Sequence, residues 1–226
     1  MNSRVDGVPN AASTLIDTLI AGNRGDQQAF SYNGKRYSYQ DVAALMNRAG
    51  NLARTLGVRP GERVLLLLPA SPAFVASVLG VMKAGAVPVI DVPRDAAEFE
   101  RCIAAAKPSA AIVHENRLAA AENMLDTLNK DRIVVVGADV HGHRSFVDEL
   151  RSQSSWLAPH DVDADAPALA AWTAAGLDSM SHAELVLRVD RSGDAGAGAA
   201  SNAGSEKVSL LAMLRAFSAG EEAALG

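Results

Sequence analysis

Residues 56–90 read Leu56-Gly57-Val58-Arg59-Pro60-Gly61-Glu62-Arg63-Val64-Leu65-Leu66-Leu67-Leu68-Pro69-Ala70-Ser71-Pro72-Ala73-Phe74-Val75-Ala76-Ser77-Val78-Leu79-Gly80-Val81-Met82-Lys83-Ala84-Gly85-Ala86-Val87-Pro88-Val89-Ile90, and this stretch decides the fold. Gly57 stops an incoming helix, and Pro60-Gly61 makes a turn. Arg63 to Leu68 is a near-continuous apolar run, the pattern of a strand covered on both faces. Pro72 opens a helix that lasts to Lys83, Gly85 ends it, and Ala86 to Ile90 forms a second strand. Strand, helix and strand with short connections imply a right-handed βαβ unit and a parallel sheet. Lys83, in the last helical turn, reads as a solvated lysine that complements the helix dipole.

The same alternation extends outward. Upstream, Val42, Leu45, Met46, Ala49, Leu52, Ala53 and Leu56 recur at helical spacing, and Ser38 caps that helix. Asn33-Gly34 between short alternating runs predicts a hairpin, because both central positions need positive φ. Residues 11–21 read as an opening helix. Downstream, 96–106 is helical with Cys102 packed on it, 110–113 is a strand, 118–128 a helix and 132–136 a strand. The fold class is α/β with a parallel sheet.

After Gly137 the texture changes. Residues 141–171 are mixed, with a short helix at 146–151 and an Asp-rich segment, Asp161 to Asp165. Residues 192–205 have the Gly/Ala/Ser composition of a linker, and 208–217 read as a last amphipathic helix. The expected division is an α/β subdomain over 10–145, a helical unit over 146–191, a linker over 192–205 and a C-terminal helix over 206–226.

The 226 residues carry 21 basic and 26 acidic side chains, for a net charge of -5, and no basic run. Nucleic acid is therefore not an expected partner. A single cysteine excludes an intramolecular disulfide and fits a reducing compartment. Residues 1–10 lack the apolar centre of a signal peptide, and the run from Val64 to Ala70 is too short to span a bilayer. The expectation is a cytoplasmic protein without a membrane partner. His141-Gly142-His143 has no third ligand at metal-site spacing and reads as a surface turn. His114-Glu115 follows a strand and reads as an ordinary loop pair, although that position lies at the ligand-binding edge of an α/β sheet.

Three segments together carry a resemblance. They are Arg36-Tyr37-Ser38-Tyr39 before the long helix, Leu56-Gly57-Val58-Arg59-Pro60-Gly61-Glu62-Arg63-Val64, and Leu79 through Val89. In order and spacing, the stretch from Ala29 to about Thr173 resembles the N-terminal subdomain of the adenylate-forming superfamily, which includes acyl-CoA synthetases and nonribosomal adenylation domains. Its nearest flavour is the aromatic-acid CoA ligases. The resemblance implies an AMP-forming acid–thiol ligase ancestry that uses ATP and magnesium.

Adenylate formation needs donors aimed at the ATP phosphates. The family supplies them with a loop of the type Thr-Ser-Gly-Thr-Thr-Gly-x-Pro-Lys-Gly. Here Thr173 fits the start of that loop, Gly176 remains within it, and Ser181-His182 fits the pair often found after it. What lies between is shorter and lacks the second glycine, the proline and the lysine. No other nucleotide loop replaces it. No catalytic residue is assigned.

The same residues also resemble a carrier-protein site, Gly-x-Asp-Ser-Leu at a helix start. Under that reading Ser179 receives phosphopantetheine from coenzyme A, Asp178 caps the helix, Met180 is a docking residue and Glu184 lies on the recognition face, while Ala183, Val186 and Leu187 turn inward. A helix start would stabilise the new phosphodiester. A shortened first helix would run from Phe146 to Trp156. The favoured expectation is a carrier-bearing fragment of acyl-activation machinery, with an acyl thioester at Ser179. Its partners would be a phosphopantetheinyl transferase and a separate acid-activating ligase or synthase. The alternatives are a truncated ligase, weakly active or inactive, and a non-catalytic interaction module. Ser181-x-x-Glu184 is also a plain capping box.

Overall fold

The computed structural model describes residues 10–121, 128–138, 140, 142–190 and 223–224. The chain opens with α1 (Ala11–Ala21) and the hairpin β1 (Gln28–Tyr32) and β2 (Lys35–Ser38). Asn33 and Gly34 form its turn at φ 49° and 74°, as the Asn-Gly pair requires. Then follow α2 (Tyr39–Thr55), β3 (Arg63–Leu67), α3 (Pro72–Lys83), β4 (Val87–Ile90), α4 (Ala96–Ala106) and β5 (Ala110–His114). Next come α5 (Glu115–Ala121), β6 (Ile133–Val136), β7 (Arg144–Ser145), α6 (Phe146–Ser152), β8 (Pro167–Thr173), β9 (Gly176–Ser181) and α7 (His182–Asp190). The pair Ala223–Ala224 forms β10, parallel to β1. Those two residues are the only described part of the tail; the amphipathic helix expected over 208–217 lies outside the described residues.

One seven-stranded sheet runs in the order β7-β6-β5-β3-β4-β8-β9. Every pair in it is parallel except β8 with β9. Burial follows the two-residue period of the strands. Val64, Leu66 and Leu68 of the β3 region face a core built with α1, α2 and α3. Leu65 and Leu67 face a second core with Phe99 and Cys102 of α4 and Leu118 of α5. This two-sided cover is why β3 reads as a continuous apolar run rather than an alternating one. Cys102 is fully buried, and burial raises its thiol pKa to about 11, so it packs as a small apolar group.

The helix ends are capped as their sequences dictate. Ser38 Oγ accepts from Asp41 N and the Asp41 carboxylate accepts from Ser38 N, a reciprocal box at the start of α2. Asn10 serves two helices: its Oδ1 accepts from Ala12 N at 3.2 Å, and its Nδ2 donates to Met82 O at 2.9 Å at the end of α3. The two helices α2 and α3 touch backbone to backbone where Gly50 meets Gly80.

Lys83 departs from the sequence expectation. Its side chain is 3% exposed, not solvated. Packing of α1 over the end of α3 brings Asp17 to it at 2.7 Å, and Nζ also donates to Asn47 Oδ1 at 2.8 Å. An ammonium out of water needs both partners.

Between α6 and β8 the backbone runs without regular structure, and α2 side chains bond several of its carbonyls. Asn47 Nδ2 donates to Ser155 O at 2.8 Å, and Asn51 Nδ2 donates to Ser154 O and Trp156 O at 3.0 Å each. Arg48 Nη1 donates to Leu150 O at 3.0 Å. A helix from Phe146 to Trp156 is therefore not formed; α6 stops at Ser152 because the following carbonyls bond to α2 side chains instead.

The carrier-type helix start at Asp178-Ser179 is also absent. Both residues lie inside β9, where Ala171 pairs with Asp178 and Ala170 with Ser179. The reason is tertiary. An Ala-rich strand, β8, has joined β4 through Val89 and Ile90, and its hairpin partner completes the sheet edge.

Candidate functional site at the carboxyl edge of the sheet

The first candidate is the turn between β8 and β9. Thr173 pairs with Gly176 across it, leaving only Ala174 and Ala175 in the loop. Thr173 Oγ1 donates to Gly176 O at 2.9 Å and accepts from Ala175 N at 3.3 Å. Gly176 has φ 112°, a backbone conformation that L residues with side chains rarely adopt. The turn thus satisfies itself. The structure brings together Thr173 and Gly176, while Ser181 and His182 stand at the far end of β9.

Ser181 Oγ accepts from Glu184 N at 3.2 Å and so caps α7, the plain capping role noted for that pair. Glu184 pairs with Arg188 at 2.5 Å along the same helix. Met180 is 5% exposed and belongs to the core, so it is no docking residue, while Leu187, expected to face inward, is 50% exposed. Leu185 takes the buried position instead. Packing of α7 beside the start of α1, where His182 meets Ala11, sets which face is buried.

His182 is 1% exposed, and its Nδ1 accepts from Ala11 N at 3.0 Å. Burial lowers its pKa to about 4. The neutral ring therefore ties the N-terminus of α1 to α7. An unfolded chain binds a proton near pH 6.5, the folded one only near 4. Stability attributable to this group is full above pH 6.5 and falls as pH drops toward 4, by about 3 kcal/mol in all. Urea unfolding at pH 7 and pH 4.5 should show that loss, and His182→Asn, which keeps an acceptor but cannot titrate, should show much less of it. An equal loss in the variant would assign the acid sensitivity to other groups.

The second candidate is a cleft at the carboxyl ends of β3 and β5. It holds about 150 Å³ and is lined by Leu67, Leu68, Pro69, Arg94, His114, Asn116 and Arg117. A neighbouring hollow of about 200 Å³ shares Leu67, Arg94, Asn116 and Arg117. Its position has a topological cause. The helix after β3 packs on one face of the sheet, whereas those after β4 and β5 pack on the other. Because β3 lies between β4 and β5, the connections diverge there and leave a crevice.

Arg117 fixes the loop after β4 by donating to Pro93 O at 2.8 Å, and Asn116 N donates to His114 Nδ1 at 3.2 Å. Arg94 is exposed beside them. Two guanidinium groups, an imidazole and an amide around one hollow suit a phosphate or carboxylate. In the sequence His114 read as part of an ordinary loop pair, and Arg94 and Arg117 were not singled out. The available signal was Pro93-Arg94-Asp95, a basic residue between a strand end and the helix cap Asp95. Among the described residues, no group of three or more His, Cys, Asp or Glu could hold a metal ion. His141 lies outside the described residues. No described helix is long and apolar enough to cross a membrane.

Comparison with known proteins places these features in a family. A family model described as AMP-binding enzyme matches residues 19–174. The chain is similar to a 3-hydroxybenzoate–CoA ligase of Aromatoleum sp. (strain CIB), 41% identical over 88 residues, covering 39% of this chain and 17% of that protein. It is 29% identical over 131 residues to a benzoate–CoA ligase of Thauera aromatica, covering 57% of this chain and 25% of the relative. Among solved structures, the anthranilate CoA ligase AuaEII in complex with anthranoyl-AMP superposes with a TM-score of 0.74 at 26% identity, over 84% of this chain and 38% of that one. Apo MbtA of Mycobacterium smegmatis gives 0.79 at 23% identity over 93% and 42%, a likeness of fold. The chain thus spans a quarter or less of the curated relatives it matches.

These matches overturn the carrier reading. The family match runs through Thr173, and the relatives are acid–CoA ligases rather than carrier proteins. Ser179 stands on a sheet strand, so phosphopantetheine is not its cofactor. By the match over residues 19–174, the chain belongs to the family of AMP-binding enzymes.

Proposed function

We propose that this chain is the N-terminal scaffold portion of an AMP-forming acid–CoA ligase of the aromatic-acid class, and that by itself it does not form an acyl adenylate. The observation that carries this reading is the β8–β9 turn. It stands at the position that Thr173 and Ser181-His182 mark for the phosphate loop, yet only Ala174 and Ala175 separate its paired ends. Two residues whose neighbours already bond to one another leave few amide donors for a triphosphate. The cleft at Arg94, His114 and Arg117 is the part that can still hold a phosphate-bearing ligand, either the nucleotide or the coenzyme.

Two assays on the full chain test this together. ATP–pyrophosphate exchange with benzoate or 3-hydroxybenzoate should stay at the no-enzyme blank. Calorimetric titration with ATP and with coenzyme A should find at least one of them bound, and Arg94→Ala should weaken it about tenfold. Steady exchange would show that the shortened turn suffices for catalysis. Absence of any phosphate-dependent binding would leave the chain a scaffold without a ligand site.

A further inference from the structure

An open groove of about 630 Å³ lies among β2, α2, α3 and α6, and it shares no lining residue with the Arg94 cleft. Its floor is apolar, formed by Ala44, Leu45, Ala73, Ala76, Phe146 and Leu150. Val147 is 46% exposed on its wall. Its charged lining consists of Lys35, Arg48 and Arg151 against one acid, Asp41. The whole chain has the opposite balance, 26 acidic to 21 basic.

The single acid forms no ion pair with the cations of the groove among the described residues. Asp41 Oδ2 accepts from Ser38 N and Ser38 Oγ, at 2.9 Å each, so its charge is directed at the helix start. Arg48 donates to Leu150 O, and Arg151 pairs with Asp148 at 3.2 Å. Lys35 lies over the Tyr37 ring, 4.8 Å from its centre, and among the described residues has no carboxylate partner. An apolar trough with an exposed ammonium on its lining and no carboxylate paired to it matches a molecule with a hydrocarbon body and one negative end.

We propose that this groove binds an amphipathic carboxylate, with the hydrocarbon or aryl body on Ala73 and Phe146 and the carboxylate at Lys35. Size suits a small molecule, because about 630 Å³ lies within the usual range for small-ligand sites. The inference does not rest on the ligase reading, and its test measures binding alone.

The probes are decanoate, decanol and decyltrimethylammonium, each titrated below its aggregation limit into the full chain. Decanoate should bind at one saturable site, and decyltrimethylammonium more weakly. Lys35→Glu should weaken decanoate about tenfold while changing decanol less than about twofold, because only the charge is altered. Ala73→Trp, which fills the floor, should weaken decanoate and decanol alike. Circular dichroism accompanies both variants, and Lys35→Ala replaces Lys35→Glu should the reversal disturb folding. Non-saturable decanoate uptake, indifference of decanoate affinity to the Lys35 substitution, unchanged binding in Ala73→Trp, or equal affinity for the cationic probe would each overturn the proposal.

Discussion

Gly80→Ala should destabilise the protein by more than about 3 kcal/mol, although alanine is the better helix former. Removing a glycine from a helix interior ordinarily gains about 0.5–1 kcal/mol. Here the new Cβ would stand 2.5 Å from Met46 O, 2.6 Å from Gly50 N and 2.8 Å from Ala49 Cβ. Two of those atoms are backbone of α2 and cannot rotate away. The helices must separate, which opens the largest interface of the first core. Sterics therefore outweigh propensity. For a chain of this size the melting temperature should fall by roughly 6–12 °C. A variant melting within about 2 °C of the parent would mean that the α2–α3 contact is looser than described.

Asp17→Ala should cost about 3 kcal/mol, and more than Lys83→Met does. The asymmetry follows from burial. Lys83 is 3% exposed, whereas Asp17 is 34% exposed. Losing the acid strands a buried ammonium with one neutral acceptor, Asn47 Oδ1. Losing the lysine leaves a carboxylate that water can reach, and methionine refills the volume. The double variant should resemble Lys83→Met alone. Urea unfolding of the three proteins checks this order, and a milder effect for Asp17→Ala would place Lys83 in water.

Most of the sheet was legible because its signals are local. The apolar run at 63–68, Asn33-Gly34 and the cap at Ser38 each specify structure within a few residues. What failed was non-local. Lys83 looks solvated in a sequence window because Asp17, its counterion, lies 66 residues earlier and arrives only when α1 docks. Three of the seven residues of β8 are alanines, with weak intrinsic strand preference, and the strand forms because β4 offers an edge. Without that edge in view, Asp178-Ser179 reads as a helix start and suggests a carrier. At the site, Thr173, Gly176, Ser181 and His182 read in sequence as positions of a shortened loop, and the hairpin that Thr173 and Gly176 close was not legible. The cleft arginines escaped because Arg94 comes from the connection after β4 and Arg117 from α5, which only the sheet order brings together.

Residues 167–173 and 176–181 are strands of the seven-stranded sheet rather than part of a detachable carrier unit. Hydrogen exchange of the full chain, read by mass spectrometry on peptides spanning 167–173 and 177–181, tests this directly. β8 lies between β4 and β9, pairing with β9 along its length and with β4 at Ala170 and Ala171. The prediction is that the β8 peptide exchanges as slowly as the peptide covering 63–67 in β3, through global unfolding alone. Exchange of 167–181 at the rate of an unstructured peptide, while 63–67 stays protected, would contradict it.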